Sequence, residues 1–503
     1  MRRAVLLAAF ASLAVAAVPS SSAQPAVGFR FGVAAGEVTS TSAILWTRAP
    51  RAGQVRLELD GEGTTPVLVL RASPANDLTV HARVRGLRPA TSYAYRFRQG
   101  GRASASGRFI TAPAPTATVP VRFAVSGDAD ATPGPSGRPA FNRFEVYGRM
   151  AAEGNDFNVN LGDTIYSDSE VGGAPVARTR AEKWAKYRLG LALPALQRLR
   201  ASAGLYSHWD DHEFVNDFSR PEHGEAIYRA GVQAFLDYSP ARYSGRLGLY
   251  RSVRWGRHLE LFFLDERSFR SSKVTEACAG DLAPTVPQPV RDAFATLAPS
   301  LRNPVAAACL AALDDPSRTM LGAAQYEAFT RAVRASTATW KVVVNEVPIQ
   351  QYYALPYDRW EGYAVERERL LRFLQANVRN VVFLTTDTHA NLVNEVRYRT
   401  LSPMPESAGI WEVVTGPVAT NTFAREIDGF LGQRGAGTAI GALFFKPPPP
   451  NGMGMRCAAL DTYSYAQVSV TARRLTVTLK DARGRPVREA TGLPCAPLVL
   501  TAR

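Results

Sequence analysis

The chain has 503 residues, 46% of them hydrophobic and 20% charged. This composition excludes a disordered or low-complexity protein and suffices for two or three folded domains. The formal net charge of +15 favours anionic partners such as phosphate esters, polyanionic polymers or lipid headgroups. The arginines are scattered, however, and no basic run interleaved with aromatics forms a specific nucleic-acid motif.

The chain begins with "MRR" and the apolar run "AVLLAAFASLAVAAV", followed by "PSSSAQPA". A basic start, a short apolar core and small residues predict a signal peptide over 1–23, cleaved near Ala23. No later apolar run approaches the length of a membrane span, so no transmembrane segment is expected once the signal is removed. The expected location is secreted, periplasmic or cell-surface. In such an oxidising setting the four cysteines predict two disulfides. Of three possible pairings, Cys278–Cys309 and Cys457–Cys495 is favoured because each would close one loop-rich region. No CxxC occurs, which argues against a thiolate zinc site.

Residues 28–112 read as an all-β domain. "AILWT", "VRLEL", "PVLVL", "LTVHARV" and "TSYAYRFR" are short apolar or alternating runs separated by turn residues. "GLRPATSYAYRF" leads from a turn into a strand in the manner of a fibronectin-type sandwich. The Pro/Ala/Thr-rich stretch 111–120 reads as a linker.

From residue 120 to 503 the pattern becomes α/β, with apolar strands alternating with helical segments. Strands are predicted at 121–126, 157–161, 204–209, 259–264, 340–345 and 381–386. Helices are predicted at 143–154, 180–192, 225–238, 322–336 and 365–377. The stretch 270–320 reads as an insertion loop held by a disulfide, and "FFKPPPPNG" as a stiff extended loop. Strands near 409–416, 465–472 and 474–484 are expected to complete a second sheet.

Five of the predicted strands end in groups that bind cations. They run into Asp128, into Asp163 and Tyr166, into Asp210-Asp211-His212-Glu213, into Asn345, and into Asp387 and His389. In open α/β sheets ligands gather beyond the carboxyl ends of strands. One such acid is ordinarily a helix cap, but five strand ends delivering them predict a shared site. Carboxylates, an amide and a phenol are hard oxygen donors, suited to Fe³⁺, Ca²⁺, Mn²⁺ or Mg²⁺, and a histidine-rich zinc or copper site is disfavoured. His208, His223 and His258 are expected to be packing residues.

In this order "LGDTIY" (161–166), "WDDHE" (209–213), "LDER" (264–267) and "DTH" (387–389) resemble the calcineurin-like metallophosphoesterases, in particular their alkaline phosphatase D branch. The resemblance covers nearly the whole mature chain. It implies a four-layer α/β/β/α sandwich behind the small β domain, and a two-metal phosphoesterase. One ion would be held by Asp128, Asp163, Tyr166 and His389. The other would be held by Asp163, Asp211, Asn345 and Asp387, with Asp163 shared. The phenolate implies Fe³⁺ and the all-oxygen set Ca²⁺, with Mn²⁺, Zn²⁺ or Mg²⁺ as alternatives. A metal-bridging hydroxide would attack phosphorus directly. His212 would face the leaving group, oriented by Asp210 or Glu213, while Arg267 would neutralise a phosphoryl oxygen and Asn216 would support the loop.

The sequence departs from that branch at Asp128, where it usually carries Cys, and at "LTTD", where it carries Gly before the Asp. The substrate is expected to be a phosphate mono- or diester, with polyanionic esters among the candidates. Two alternatives stand beside this reading: a phospholipase D-type diesterase, and an extracellular binding protein with structural metals. Oligomeric state is not legible.

Overall fold

A computed structural model describes residues 28–61, 67–296 and 298–503. The expected signal peptide lies outside the described residues. Among them, no helix is long and apolar enough to cross a membrane.

Among the described residues, the N-terminal region supplies eight strands: β1 (Val33–Gly36), β2 (Ser42–Arg48), β3 (Gly53–Asp60), β4 (Val67–Ala72), β5 (Thr79–Arg85), β6 (Ser92–Gln99), β7 (Arg102–Ala103) and β8 (Gly107–Ile110). They divide into two packed sheets. β4, β3, β6 and β7 form one, with β8 beside β6, while β1, β2 and β5 belong to the other. Tyr93, Tyr95 and Phe97 point inward along β6, as their alternation predicts, and Arg96 and Arg98 point out to Glu58.

The β1–β2–β5 sheet does not stop at the linker. β1 pairs in parallel with β11 (Gly204–His208), through Ala35 and Gly204. The N-terminal strands therefore extend the first central sheet, which also holds β9 (Val121–Ser126) and β10 (Phe157–Leu161). The sequence hides this continuity because β1, "VAAG", is short and shows no alternation.

The second central sheet is built from β12 (Arg251–Trp255), β13 (Leu259–Phe263), β14 (Trp340–Asn345), β15 (Val381–Thr385), β16 (Asn391–Arg397), β17 (Ser407–Val414) and β18 (Cys457–Ala459). Its order is β12-β13-β14-β15-β17-β16-β18, parallel from β13 to β17. The last strands return to the first sheet. β19 (Ser464–Val470) pairs antiparallel with β9, followed outward by β20 (Arg474–Asp481) and β21 (Leu498–Thr501).

Helices cover the outer face of each sheet. On the first lie α1 (Glu145–Ala152), α2 (Arg180–Leu191), α3 (Pro194–Ser202), the short α4 (Arg220–His223) and α5 (Glu225–Tyr238). α2 starts where Thr179 and Glu182 form a reciprocal cap. The insert between β13 and β14 holds α6 (Gln288–Phe294) and α7 (Ala307–Leu313), so 270–320 is not a bare loop. α8 (Gly322–Ala335) and α9 (Ala364–Asn377) cover the second sheet.

Three apolar layers result, one between the sheets and one under each helical face. This is the four-layer α/β/β/α order. Disulfides join Cys278 to Cys309 and Cys457 to Cys495. α10 (Phe423–Leu431) and α11 (Ala436–Ile440) follow β17. Phe444 and Phe445 lie in a helical turn after α11 rather than in an extended loop, because both bury their rings in a local apolar cluster.

Candidate metal centre

β9, β10, β11 and β15 end at one edge of the two sheets, and the turn after each carries an acid or imidazole. The backbone there is unusual. Asp128, Asp163, Asp387 and His389 all have positive φ, at 60°, 47°, 64° and 52°. Non-glycine residues avoid this region, and such strain concentrates at functional sites. Gly162, just before Asp163, has no room for a side chain: a Cβ would stand 2.6 Å from that of Asp210.

Two clusters meet at Asp163. Single oxygen or nitrogen atoms of Asp128, Asp163 and His389 lie within 4.8 Å of one another, and so do atoms of Asp163, Asp211 and His212. A third cluster joins Asp210, Asp211 and Asp387. Asp128 accepts the Asp387 N–H on Oδ1 at 3.3 Å, while its buried Oδ2 has no hydrogen-bond partner. That orphaned oxygen beside Asp163 and His389 is what a cation would satisfy.

Burial raises Asp128 to about 7 and Asp163 and Asp387 well above the usual carboxylate range. Burial, then Asp163 and Asp128, also raise the Tyr166 phenol. Acids crowded this way stay charged together only with positive charge between them. The donor set is hard: carboxylates, a phenol and one or two imidazoles, which fits a hard cation better than a soft one.

The histidines are aimed by two acids that no sequence motif singles out. His389 donates from Nδ1 to Glu426 of α10 at 2.5 Å, so Nε2 turns inward, where Tyr166 Oη lies at 3.0 Å. His212 lies with Nδ1 at 2.7 Å from Asp168, and its ring stacks on Tyr166 at 4.1 Å. Burial pulls His212 down, but Asp211, Asp163 and Asp168 outweigh it and raise the imidazole well above its ordinary value. Asp168 also accepts the backbone N–H of Asn216 at 2.7 Å. The expected orienting roles of Asp210 and Glu213 are thus corrected to Asp168. Glu213 instead ties two turns together, accepting from the Asp210 N–H at 2.8 Å and the Thr164 N–H at 2.6 Å.

Asp211 lines the cavity over these groups, whereas Asp210 is fully buried beneath it against Arg267. Arg267 does not face that cavity. It is fully buried and spends its nitrogens on Asp210, on Asp358 at 2.6 Å and on Asp387 at 3.2 Å. Its expected contact with a phosphoryl oxygen is corrected to a role under the site, where four nearby carboxylates, Asp211 included, absorb its charge. Asn345 is buried at the end of β14; its Nδ2 donates to Val347 O, and its Oδ1 takes a long 3.4 Å contact from Trp360. His208 is buried beside Glu346 at 3.0 Å.

The two sheets lie between helical layers, and acids and imidazoles from separate strands gather at one edge. Residues 135–478 match the PhoD-like phosphatase family, and residues 14–113 match that family's N-terminal domain. The chain belongs to the PhoD-like phosphatases.

It is 28% identical over 430 residues to alkaline phosphatase D of Bacillus subtilis (strain 168), a match covering 75% of this chain and 66% of that one. Its fold is similar to a solved structure of PhoD, with TM-score 0.70, 22% identity, and 96% and 90% of the two chains covered. A purple acid phosphatase from yellow lupin (Lupinus luteus) seeds shares the fold at TM-score 0.54 and 12% identity, over 93% and 73% of the chains.

Proposed function

We propose that this protein is an exported hydrolase of phosphate mono- or diesters that works with two metal ions. The observation that carries the reading is the pair of clusters sharing Asp163, one of which holds a buried Asp128 oxygen with no hydrogen-bond partner. Asp128, Asp163, Tyr166 and His389 would hold one ion, and Asp163, Asp211, Asn345 and Asp387 the other. Fe³⁺ at the phenol-containing set and Ca²⁺ at the all-oxygen set suit these donors. Bound there, the ions supply Lewis acidity, which makes a water nucleophilic and offsets phosphoryl charge.

The chain's own residues do the rest. His212 gives a proton to the departing oxygen, and Asp168 and the Tyr166 ring hold the imidazole in place. Glu426 fixes the His389 tautomer with the proton on Nδ1, so that the Nε2 lone pair faces the site. Export is supported by the basic and apolar start of the sequence and by two disulfides.

p-Nitrophenyl phosphate and bis-p-nitrophenyl phosphate, each assayed with and without chelator, test the reading. Turnover of either ester that is lost with chelator supports it. Metal-replete protein inert toward both would leave a binding protein with structural metals. Metal analysis with a visible absorption scan for a tyrosinate-to-iron band assigns the ions.

A further inference from the structure

The cavity over the candidate metal centre is far larger than a phosphate needs, at about 860 Å³. Its floor is the polar cluster already described. Its walls are mostly apolar, with Lys273, Arg359 and Arg425 also lining it, and the apolar side chains come from segments remote in sequence: Val290 and Phe294 on α6, Phe423 and Ile427 on α10, Tyr352, and Phe445 after α11. The aromatics interlock. Phe294 meets Phe444 edge-on at 5.5 Å, and Phe445 lies 5.9 Å from both Phe423 and Tyr352.

Wall and floor are joined directly, since the Phe423 N–H donates to the His389 carbonyl at 3.0 Å. The α6 wall is preformed. Cys278–Cys309 closes its loop, and the buried Arg291 binds Asp281 at 2.8 Å. At the mouth Phe430 and Leu355 are 64% and 47% exposed. A small polar ester would leave this apolar surface wet and unused. A ligand with an apolar body and one charged head satisfies both halves of the cavity.

We propose that these walls form a binding annex for an apolar substituent, so that the preferred substrates are phosphoesters carrying an alkyl or aryl group of several carbons. This rests on the phosphoesterase reading. In such a reaction water oxygen bonds to phosphorus, the bond from phosphorus to the leaving oxygen breaks, and that oxygen takes a proton. The annex grips the carbon skeleton and takes no part in bond making.

The test is calorimetric binding of n-alkylphosphonates, from methyl to octyl, to the metal-loaded protein. The dissociation constant should fall with every methylene that reaches the walls, by up to about fourfold each. Ile427→Asn and Phe294→Ala should flatten that slope while leaving methylphosphonate binding and the metal content of the protein unchanged. Ester hydrolysis measured below the critical micelle concentration and on vesicles separates a dispersed ester from a lipid headgroup; a chain-length preference in either form supports the annex. Affinity independent of chain length, with p-nitrophenyl phosphate still hydrolysed, overturns the annex and leaves the phosphoesterase reading standing. Loss of all hydrolysis overturns both.

Discussion

Replacing Asp168 by asparagine isolates the charge that aims His212. In the native protein one carboxylate oxygen lies 2.7 Å from His212 Nδ1 and the other accepts the Asn216 N–H, also at 2.7 Å. An asparagine must still accept from Asn216, so its NH₂ turns toward Nδ1. That geometry suits a neutral imidazole and opposes an imidazolium. The lost charge-assisted hydrogen bond is worth about 1.5–3 kcal/mol, or about 10- to 150-fold in rate if it is needed only when the proton moves. The full loss should appear in kcat for an alkyl phosphate, whose leaving group needs the proton. p-Nitrophenolate leaves without help, so its ester should slow by less than about threefold. Equal losses for the two esters would refute the argument. So would a further large loss when Asp168→Asn is added to His212→Ala, because the acid should then have nothing left to orient.

Glu426→Gln should weaken the metal ion at His389 by about 10- to 100-fold, read by chelator competition, with little change in melting temperature of the fully loaded protein. Asp163→Asn should abolish turnover and lower the content of both ions, since Asp163 belongs to both clusters; asparagine tolerates the positive φ there, so the circular dichroism spectrum should be retained. Reducing Cys278–Cys309, which spans 31 residues, should cost about 3–4 kcal/mol and lower the unfolding temperature. Deleting residues 28–112 should yield insoluble protein, because it removes β1 from β11 and opens the shared core; a soluble, active 120–503 fragment would show that the contact is dispensable.

The strands that carry these acids were legible because each is a short run, apolar or alternating, closed by an acid: "VRFAVS" and "FNVNL" form strands with the predicted limits. Asp163, His389 and Asp211 could be chosen because their strand ends are local signals. Asp168 and Glu426 could not. One sits in an irregular turn, and the other lies on a helix 37 residues beyond the histidine it holds. Arg267 misled for a related reason: its motif places it near the acids, but only burial decides whether it faces a ligand or sits under them. The apolar annex was invisible because its walls come from an insert, from α10 and from the turn after α11, none of which is periodic with the others.

The pairing of β9 sets an order of assembly. This central strand, which delivers Asp128, is flanked by β10 a short way along the chain and by β19 near its end, with Val121 opposite Val470. Closing so long a loop is slow, and it cannot begin until almost the entire polypeptide is available. A nascent or truncated chain lacking residues after 463 would present β9 as an open edge next to the unneutralised acids. The expected consequence is that the β9 edge beside these acids is closed only once β19 has docked.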